Sequence, residues 1–283
     1  MLNGCAYILT VDVGNTFIRF GLFAEDSAAA QERPLATCEV TTPSSITADE
    51  ARMRLVQVMA ALAADAGMPG ALVPAAAVLS CVVPALERPW KAALSRTCTG
   101  RVLTVGPGLK TGMPVHYDDP AEIGPDRIAD AVAARAVYGS PCIVIDLGTT
   151  TNIEVIDAHG TFVGGVIAPG LALGARSLSA AAARLPQVEP SAPTHVIGRN
   201  TREAMRSGVV LGEVARIDGM LDMVLAEMRA TKAAGEGDVP IVITGDDAEA
   251  LAALVGHSLT VDDALTLRGL AELYHINQKP HRA

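Results

Sequence analysis

The sequence predicts an α/β protein made of two related halves, and three observations predict it. Half of the 283 residues are apolar and 19% are charged, enough to bury a core built mainly from Ala, Val, Leu and Ile. Short apolar runs alternate with alanine-rich segments of helical spacing, as strands and helices do in a layered α/β fold. A pattern near the start also recurs at mid-chain, where residues 11–23 read VDVGNTFIRFGLF and residues 145–157 read IDLGTTTNIEVID. Each is an apolar strand that delivers Asp-x-Gly-x-Thr and then a second apolar run. A duplicated unit is expected, with the two turns facing across a cleft. The division is placed near Pro141, giving one lobe over residues 1–140 and a second over residues 141–283.

The elements follow in order. Residues 7–13 and 17–23 are apolar runs on either side of a glycine turn and read as paired strands; helical spacing then marks residues 47–66. Residues 68–86 carry no charge and are long enough to cross a bilayer, but Pro69, Gly70, Pro74 and Pro84 interrupt them. A buried strand at 75–83 explains the stretch better, followed by a helix at 84–97 and a strand at 101–105. Gly124 and Pro125 open a helix over 126–138, since proline is favourable just inside a helix start. Past the midpoint come strands at 142–147, 153–157 and 162–168, helices at 170–184 and 201–229, and a strand at 239–244. In the last helix Ile217, Met220, Leu221, Val224, Leu225 and Met228 form one stripe, which suits a core or a dimer interface.

Composition excludes several classes of function. A net charge of −9 with only four lysines argues against a protein that neutralises nucleic-acid phosphates or an anionic membrane. Any phosphate it binds must be held by backbone groups, arginine or a metal. The cysteines at 5, 38, 81, 98 and 142 are widely spaced with no C-x-x-C pair, and read as reduced, mostly buried thiols of a cytosolic protein rather than a zinc site. Asp12 precedes the first positive side chain, Arg19, so the start lacks the basic region of a signal peptide.

The chemistry concentrates in three places. At the first turn, Gly14 permits the φ > 0 geometry of a tight hairpin and leaves no side chain between backbone amides and a ligand. Asn15 and Thr16 add short polar groups, and the Asp12 carboxylate could hold a phosphate-bound divalent cation. The second turn carries Asp146, Gly148 and three threonines, Thr149 to Thr151. Either turn alone could be an ordinary hairpin. Together they are what a nucleotide site between duplicated halves requires, and ATP is the ligand expected. Third, Asp126 falls in the first turn of the helix after Gly124-Pro125, with Arg127 beside it. Asp126 could accept the proton of an attacking hydroxyl while Arg127 binds an anionic group, or both could be surface residues suited to a helix start. The helix terminus should depress the Asp126 pKa, which phosphoryl transfer tolerates because positioning and charge neutralisation matter more than early proton removal. Were Asp12, Asp126 and Asp146 to converge, cations would have to intervene, since unit charges ~4 Å apart repel by roughly 4 kcal/mol at an effective dielectric near 20. Mg²⁺ on the phosphates is the economical choice.

Other chemistries lack their signatures. No lysine follows a glycine, so the P-loop is absent, and there is no HRD, G-x-S-x-G or H-E-x-x-H. The run from Gly106 to Gly112 is glycine-rich but reads as a loop.

With these residues in hand, the chain resembles the type III pantothenate kinases, a branch of the actin, hexokinase and Hsp70 nucleotide-binding superfamily. The resemblance runs through VDVGNT, GPGLKTGMPVHYDDPAEIGPDRIADAV, IDLGTTTNIEVID, GTFVGGVIAPGL, LPQVEPSAPTHVIGRNTREAMRSG and DDALTLRGLAELY, nearly the whole length. It implies duplicated ribonuclease H-like (actin-like ATPase) domains with a nucleotide cleft between them. It further implies ATP- and Mg²⁺-dependent phosphorylation of pantothenate to 4′-phosphopantothenate, the first step of coenzyme A synthesis, with a monovalent cation (K⁺ or NH₄⁺), and a homodimer that uses the long second-lobe helix. By matching position, Asp12, Val13, Gly14, Asn15, Thr16, Phe17, Ile18 and Arg19 would bind ATP phosphates and Thr149 would contact ATP. Asp126 would accept the proton and Asp146 would hold the monovalent cation. Tyr117, Gly124, Pro125, Asp126, Arg127 and Thr201 would line the pantothenate site, Thr201 reaching it across the dimer. Two positions depart from the family pattern: Asp246 stands where the second glycine of Thr-Gly-Gly is general, adding bulk and charge near the expected adenosine, and Thr150 stands where alanine is usual. A nucleotide- or pantothenate-sensing protein on the same scaffold, and a superfamily kinase or phosphatase with another acceptor, are the alternatives.

Overall fold

A computed structural model describes residues 6–26, 32–68 and 72–278. Cys5, and Pro69 and Gly70 of the uncharged stretch, lie outside the described residues. The chain forms two compact units, one of residues 1–137 with 264–283, the other of residues 138–263.

The first unit holds a five-stranded sheet in the order β3-β2-β1-β4-β5. Strands β1 (Tyr7–Val13), β2 (Phe17–Ala24) and β3 (Ala36–Thr41) form an antiparallel meander, while β4 (Ala76–Cys81) and β5 (Val102–Thr104) run parallel to β1. Helix α1 (Ala48–Asp65) starts at a capping box in which Thr47 and Glu50 satisfy each other's backbone amides. Its Ala51, Leu55, Val58, Met59 and Leu62 recur at helical spacing and are buried, so this stripe closes the core with α2 (Pro84–Thr97). Trp90 of α2 is fully buried with its ring centroid 5.6 Å from that of Phe20.

The second unit repeats this topology. Its sheet order is β10-β9-β6-β7-β8, which read from the other edge is again third, second, first, fourth, fifth. Strands β6 (Cys142–Leu147), β7 (Thr150–Ile156) and β8 (Phe162–Pro169) make the meander, and β9 (Ile241–Gly245) and β10 (Thr260–Val261) add parallel strands beside β6. The two Asp-x-Gly-x-Thr segments predict a duplicated α/β unit, the resemblance implies a ribonuclease H-like one, and a duplicated fold of that kind is observed.

Four expectations are corrected. The first lobe ends at Val137, and the second lobe does not run to residue 283. Helix α3 (Pro125–Tyr138) precedes the first crossing, and helix α8 (Leu265–Ile276) returns to pack on β1, β2 and β4 of the first unit. That packing is close: a Cβ on Gly269 would collide with the Ala129 carbonyl of α3. Residues 170–184 form only α4 (Leu171–Ala181), and 201–229 is not one helix. It divides into α5 (Thr201–Arg206), a π-helical stretch at Ser207–Leu211 and α6 (Gly212–Ala230), and the Ser207 hydroxyl donates to the Val196 carbonyl (2.5 Å) where the register slips. The α6 stripe also belongs to the core of its own unit. Ile217, Leu221 and Met228 are buried against Ile143, Ile145 and Ile243, and Met220, Val224 and Leu225 pack beside them. A short helix, α7 (Ala248–Ala252), follows β9. Among the described residues no helix is long and apolar enough to cross a membrane.

Candidate active site

In the first unit, register puts Asp12 one residue from the end of β1, across from Arg19 on β2 and Ser80 on β4. Asp12 is 8% exposed, and its Oδ1 has no hydrogen-bond partner among the described residues. Burial, then the negative charge of Asp126, raise its pKa to about 6, while the Ser80 hydroxyl and Arg19 pull the other way. Asp12 and Asp126, separated by more than a hundred residues in sequence, therefore share one electrostatic neighbourhood. A buried carboxylate oxygen without a partner suits a divalent cation carried mainly by phosphates. No cluster of three or more His, Cys, Asp or Glu that could hold a metal occurs among the described residues.

The turn between β1 and β2 differs from its expected geometry. Gly14 is not among the residues at positive φ. Space favours glycine there instead, because its amide donates to the Phe17 carbonyl (3.0 Å) and a Cβ would lie a tight 3.0 Å from that same oxygen. Asn15 and Thr16 are exposed, and Val13 and Ile18 are buried. Thr42, which sequence reading passed over, pins the turn: its hydroxyl donates to the Gly14 carbonyl (2.7 Å) and its amide to the Thr16 carbonyl (2.9 Å). Arg19 donates to Glu39 Oε2 (3.0 Å) and lies 6.0 Å from the Phe17 ring centroid, so its charge is steered by the neighbouring strand.

Asp126 occupies the second residue of α3, where its Oδ1 accepts from the Arg127 amide (2.8 Å). Gly124 makes this possible, since a Cβ there would collide with that oxygen. Its pKa is raised, not depressed as the helix-terminus argument predicts: burial outweighs the Arg127 amide, the Arg127 charge and Asp126's own amide, all of which pull down. Arg127 is buried, so it is not a surface residue. Pro125 takes the first helical position, and Tyr117 is half-buried in the segment between β5 and α3.

In the second unit, Asp146 takes the place on β6 that Asp12 takes on β1, across from Asn152 on β7 and Thr244 on β9. The turn closes through the Gly148 amide, which donates to the Thr150 carbonyl (3.0 Å), and the Gly170 amide donates to the Thr149 carbonyl (3.0 Å). Gly245 (φ +89°) comes so close that a Cβ would collide with the Leu147 carbonyl and lie 2.8 Å from Asp146 Oδ1. The glycine this geometry demands is thus retained. Asp246 follows it, its amide donating to the Leu147 carbonyl (2.6 Å), and Asp247 takes the left-handed conformation (φ 57°) ahead of α7. Thr201 is exposed at the first position of α5, beside Asn200, whose side chain caps the helix by accepting from the Glu203 amide (3.0 Å).

Comparison with known proteins agrees with this arrangement. The family model described as type III pantothenate kinase matches residues 8–223. A protein of Koribacter versatilis named type III pantothenate kinase is 38% identical over 279 residues, 97% of each chain. One of Nocardia farcinica with the same name is 40% identical over 285 residues, covering 97% of this chain and 99% of its own. Among solved structures, a Campylobacter jejuni protein described as a Baf family transcriptional activator aligns over 95% of this chain and 98% of its own, at TM-score 0.57 and 18% identity. The ethanolamine utilization protein EutJ of Carboxydothermus hydrogenoformans aligns at TM-score 0.53 and 16% identity over 94% of this chain and 89% of its own. These two share the fold. With sequence likeness spanning nearly the whole length and two acidic turns on duplicated sheets, the chain belongs to the type III pantothenate kinase family.

Proposed function

We propose that the protein transfers the γ-phosphoryl group of ATP to the primary hydroxyl of pantothenate, giving ADP and 4′-phosphopantothenate, the first step of coenzyme A synthesis. The observation that carries this reading is the Asp12–Asp126 pair, two carboxyls made hard to ionise by burial at the end of a glycine turn and at a helix start. Asp126 is the proton acceptor. Its raised pKa makes it a better base than a solvated aspartate, and the Arg127 amide fixes the carboxylate that receives the proton. As the hydroxyl oxygen bonds to phosphorus, its proton passes to Asp126 and the bond to ADP breaks. Asp12 holds the Mg²⁺ that ATP brings, which supplies charge neutralisation at the transferring group. The turn from Asp12 to Arg19 binds phosphates. Tyr117, Gly124, Pro125 and Arg127 line the pantothenate site.

In the second unit Thr149 contacts ATP, and Asp146 holds a monovalent cation, K⁺ or NH₄⁺. The close approach of the Gly245 backbone, where a Cβ would come within 2.8 Å of Asp146 Oδ1, supports a small ion there rather than a larger group. Two copies associate, with Thr201 of each completing the other's pantothenate site. The exposed apolar residues Val196 (74%) and Ile197 (84%) on the segment before α5 support an interface there. The free thiols of Cys38, Cys81 and Cys98 suit a reducing cytoplasm.

The test is ADP formation with pantothenate, a panel of other primary alcohols, or water, each in K⁺ buffer, with mass spectrometry of the product. Pantothenate alone should gain one phosphate. Turnover with another acceptor, or none with pantothenate, would overturn the assignment. Sedimentation equilibrium at micromolar protein should return the mass of two chains.

A further inference from the structure

Beside the second turn runs a polar ring that the roles above do not use, with Glu213 and Thr151 buried and Arg216 half-exposed. Glu213, 4% exposed, lies on α6 at the rim of the apolar face formed by Val214, Ile217 and Leu221. Thr151 of β7 donates its hydroxyl to Glu213 Oε1 (2.6 Å), a short bond of the charge-assisted kind. Arg216, one turn further along α6, donates Nη2 both to Glu213 Oε2 and to the Pro169 carbonyl (2.5 Å). Pro169 ends β8 and is followed by Gly170, whose amide donates to the Thr149 carbonyl (3.0 Å). The same glycine sits so near that a Cβ would collide with the Gly148 carbonyl and come within 2.8 Å of the Thr149 carbonyl. The connections close on themselves, from Thr151 through Glu213, Arg216, Pro169 and Gly170 back to Thr149, two residues from the start.

We infer that Glu213 and Arg216 are positioning residues for the nucleotide: the ring they form with Thr151 and the Pro169 carbonyl fixes the Gly148–Thr149 turn against the end of β8. The Gly170 amide ties this two-residue turn to the end of β8 through the Thr149 carbonyl, so a restraint on that end is a restraint on the turn. A buried carboxylate bonded to a strand hydroxyl and to an arginine that also grips the neighbouring strand's end provides it without touching ligand. Removing one member leaves a buried partner unmatched and lets β8 and the turn move independently. The inference rests on the assignment of Thr149 to ATP.

The experiment compares the parent protein with Thr151→Val, Thr151→Ser, Glu213→Gln and the double variant Thr151→Val/Glu213→Gln. KM for ATP, KM for pantothenate and kcat are measured in K⁺ buffer, with Kd for ATP from calorimetry. Thr151→Val and Glu213→Gln should each raise the ATP KM and Kd about tenfold while leaving the pantothenate KM within twofold. The double variant should be no worse than the poorer single one, because both break one ring, and Thr151→Ser should restore parent values. A merely structural ring would lower melting temperature and active fraction, hence apparent kcat, with the ATP KM and Kd unmoved; that result, or additive losses in the double variant, overturns the inference. A parent protein that binds ATP but does not phosphorylate pantothenate would sink the proposed function alone, since the Kd series still reads the ring.

Discussion

Replacing Asp12 with asparagine should make the ligand-free protein more stable while abolishing its turnover. Folding lifts this carboxyl from 3.8 to about 6, because its charge is buried and faces Asp126. Between those two values the folded chain binds more protons than the unfolded one, so stability falls as pH rises through the window. The penalty is small well below 3.8 and complete above about 6. It amounts to roughly 3 kcal/mol at pH 7.5 and about 1 kcal/mol at pH 4.5. Asparagine keeps the shape and never carries the charge, so Asp12→Asn should gain about those amounts. The single tryptophan, Trp90, is fully buried in the same unit, and its fluorescence during urea unfolding reads that unit. With Mg²⁺ and ATP absent, the variant's midpoint should rise at pH 7.5 and approach the parent's as pH falls. A variant no more stable than the parent at pH 7.5, or a gain independent of pH, would refute the buried, charge-coupled carboxyl. Lost turnover alongside gained stability is the pattern of a site that sacrifices stability for function.

Gly124→Ala brings a methyl into collision with Asp126 Oδ1; the displaced carboxylate should lower kcat on the order of a hundredfold in the ADP assay, with circular dichroism unchanged. Gly269→Ala drives a Cβ into the Ala129 backbone, which cannot yield as a flexible side chain can. It should cost about 1–3 kcal/mol of stability in urea unfolding. Exchanging K⁺ for a bulky organic cation at constant ionic strength should reduce turnover severalfold, and Asp146→Ala should lose that response; an ion-indifferent parent enzyme would remove Asp146 from its role.

What could be read from the sequence depended on how local the cause was. The hairpins β1–β2 and β6–β7 were legible because each repeats an apolar run, a glycine turn and a second run, and α2 because its alanine spacing begins at Pro84. Strand β3 is not legible although Ala36, Cys38 and Val40 alternate, since six residues at a sheet edge, one buried, two half-buried and three exposed, give little apolar signal. Two-residue β10 offers none. The break at Ser207–Leu211 escaped because a single π-turn shifts the stripe by one residue without spoiling its composition. The destination of α8 is set by the approach of Gly269 to a helix more than a hundred residues earlier, which no window along the chain contains. The site divides the same way. Asp12, Asp126 and Asp146 were visible in their motifs, whereas Thr42, Ser80 and Glu213 act only through register and packing. For Asp126 the local rule about helix ends gives the wrong direction of pKa, because burial overrides it.

The central claim is that Asp126 takes the proton of the pantothenate hydroxyl as phosphorus is attacked. Steady-state kinetics of Asp126→Asn with ATP and pantothenate in K⁺ buffer bear on it most directly. The account predicts a kcat lower by about a hundredfold or more, with the pantothenate KM within a few fold and the melting temperature no lower than the parent's. A variant that phosphorylates pantothenate at close to the parent rate would contradict it.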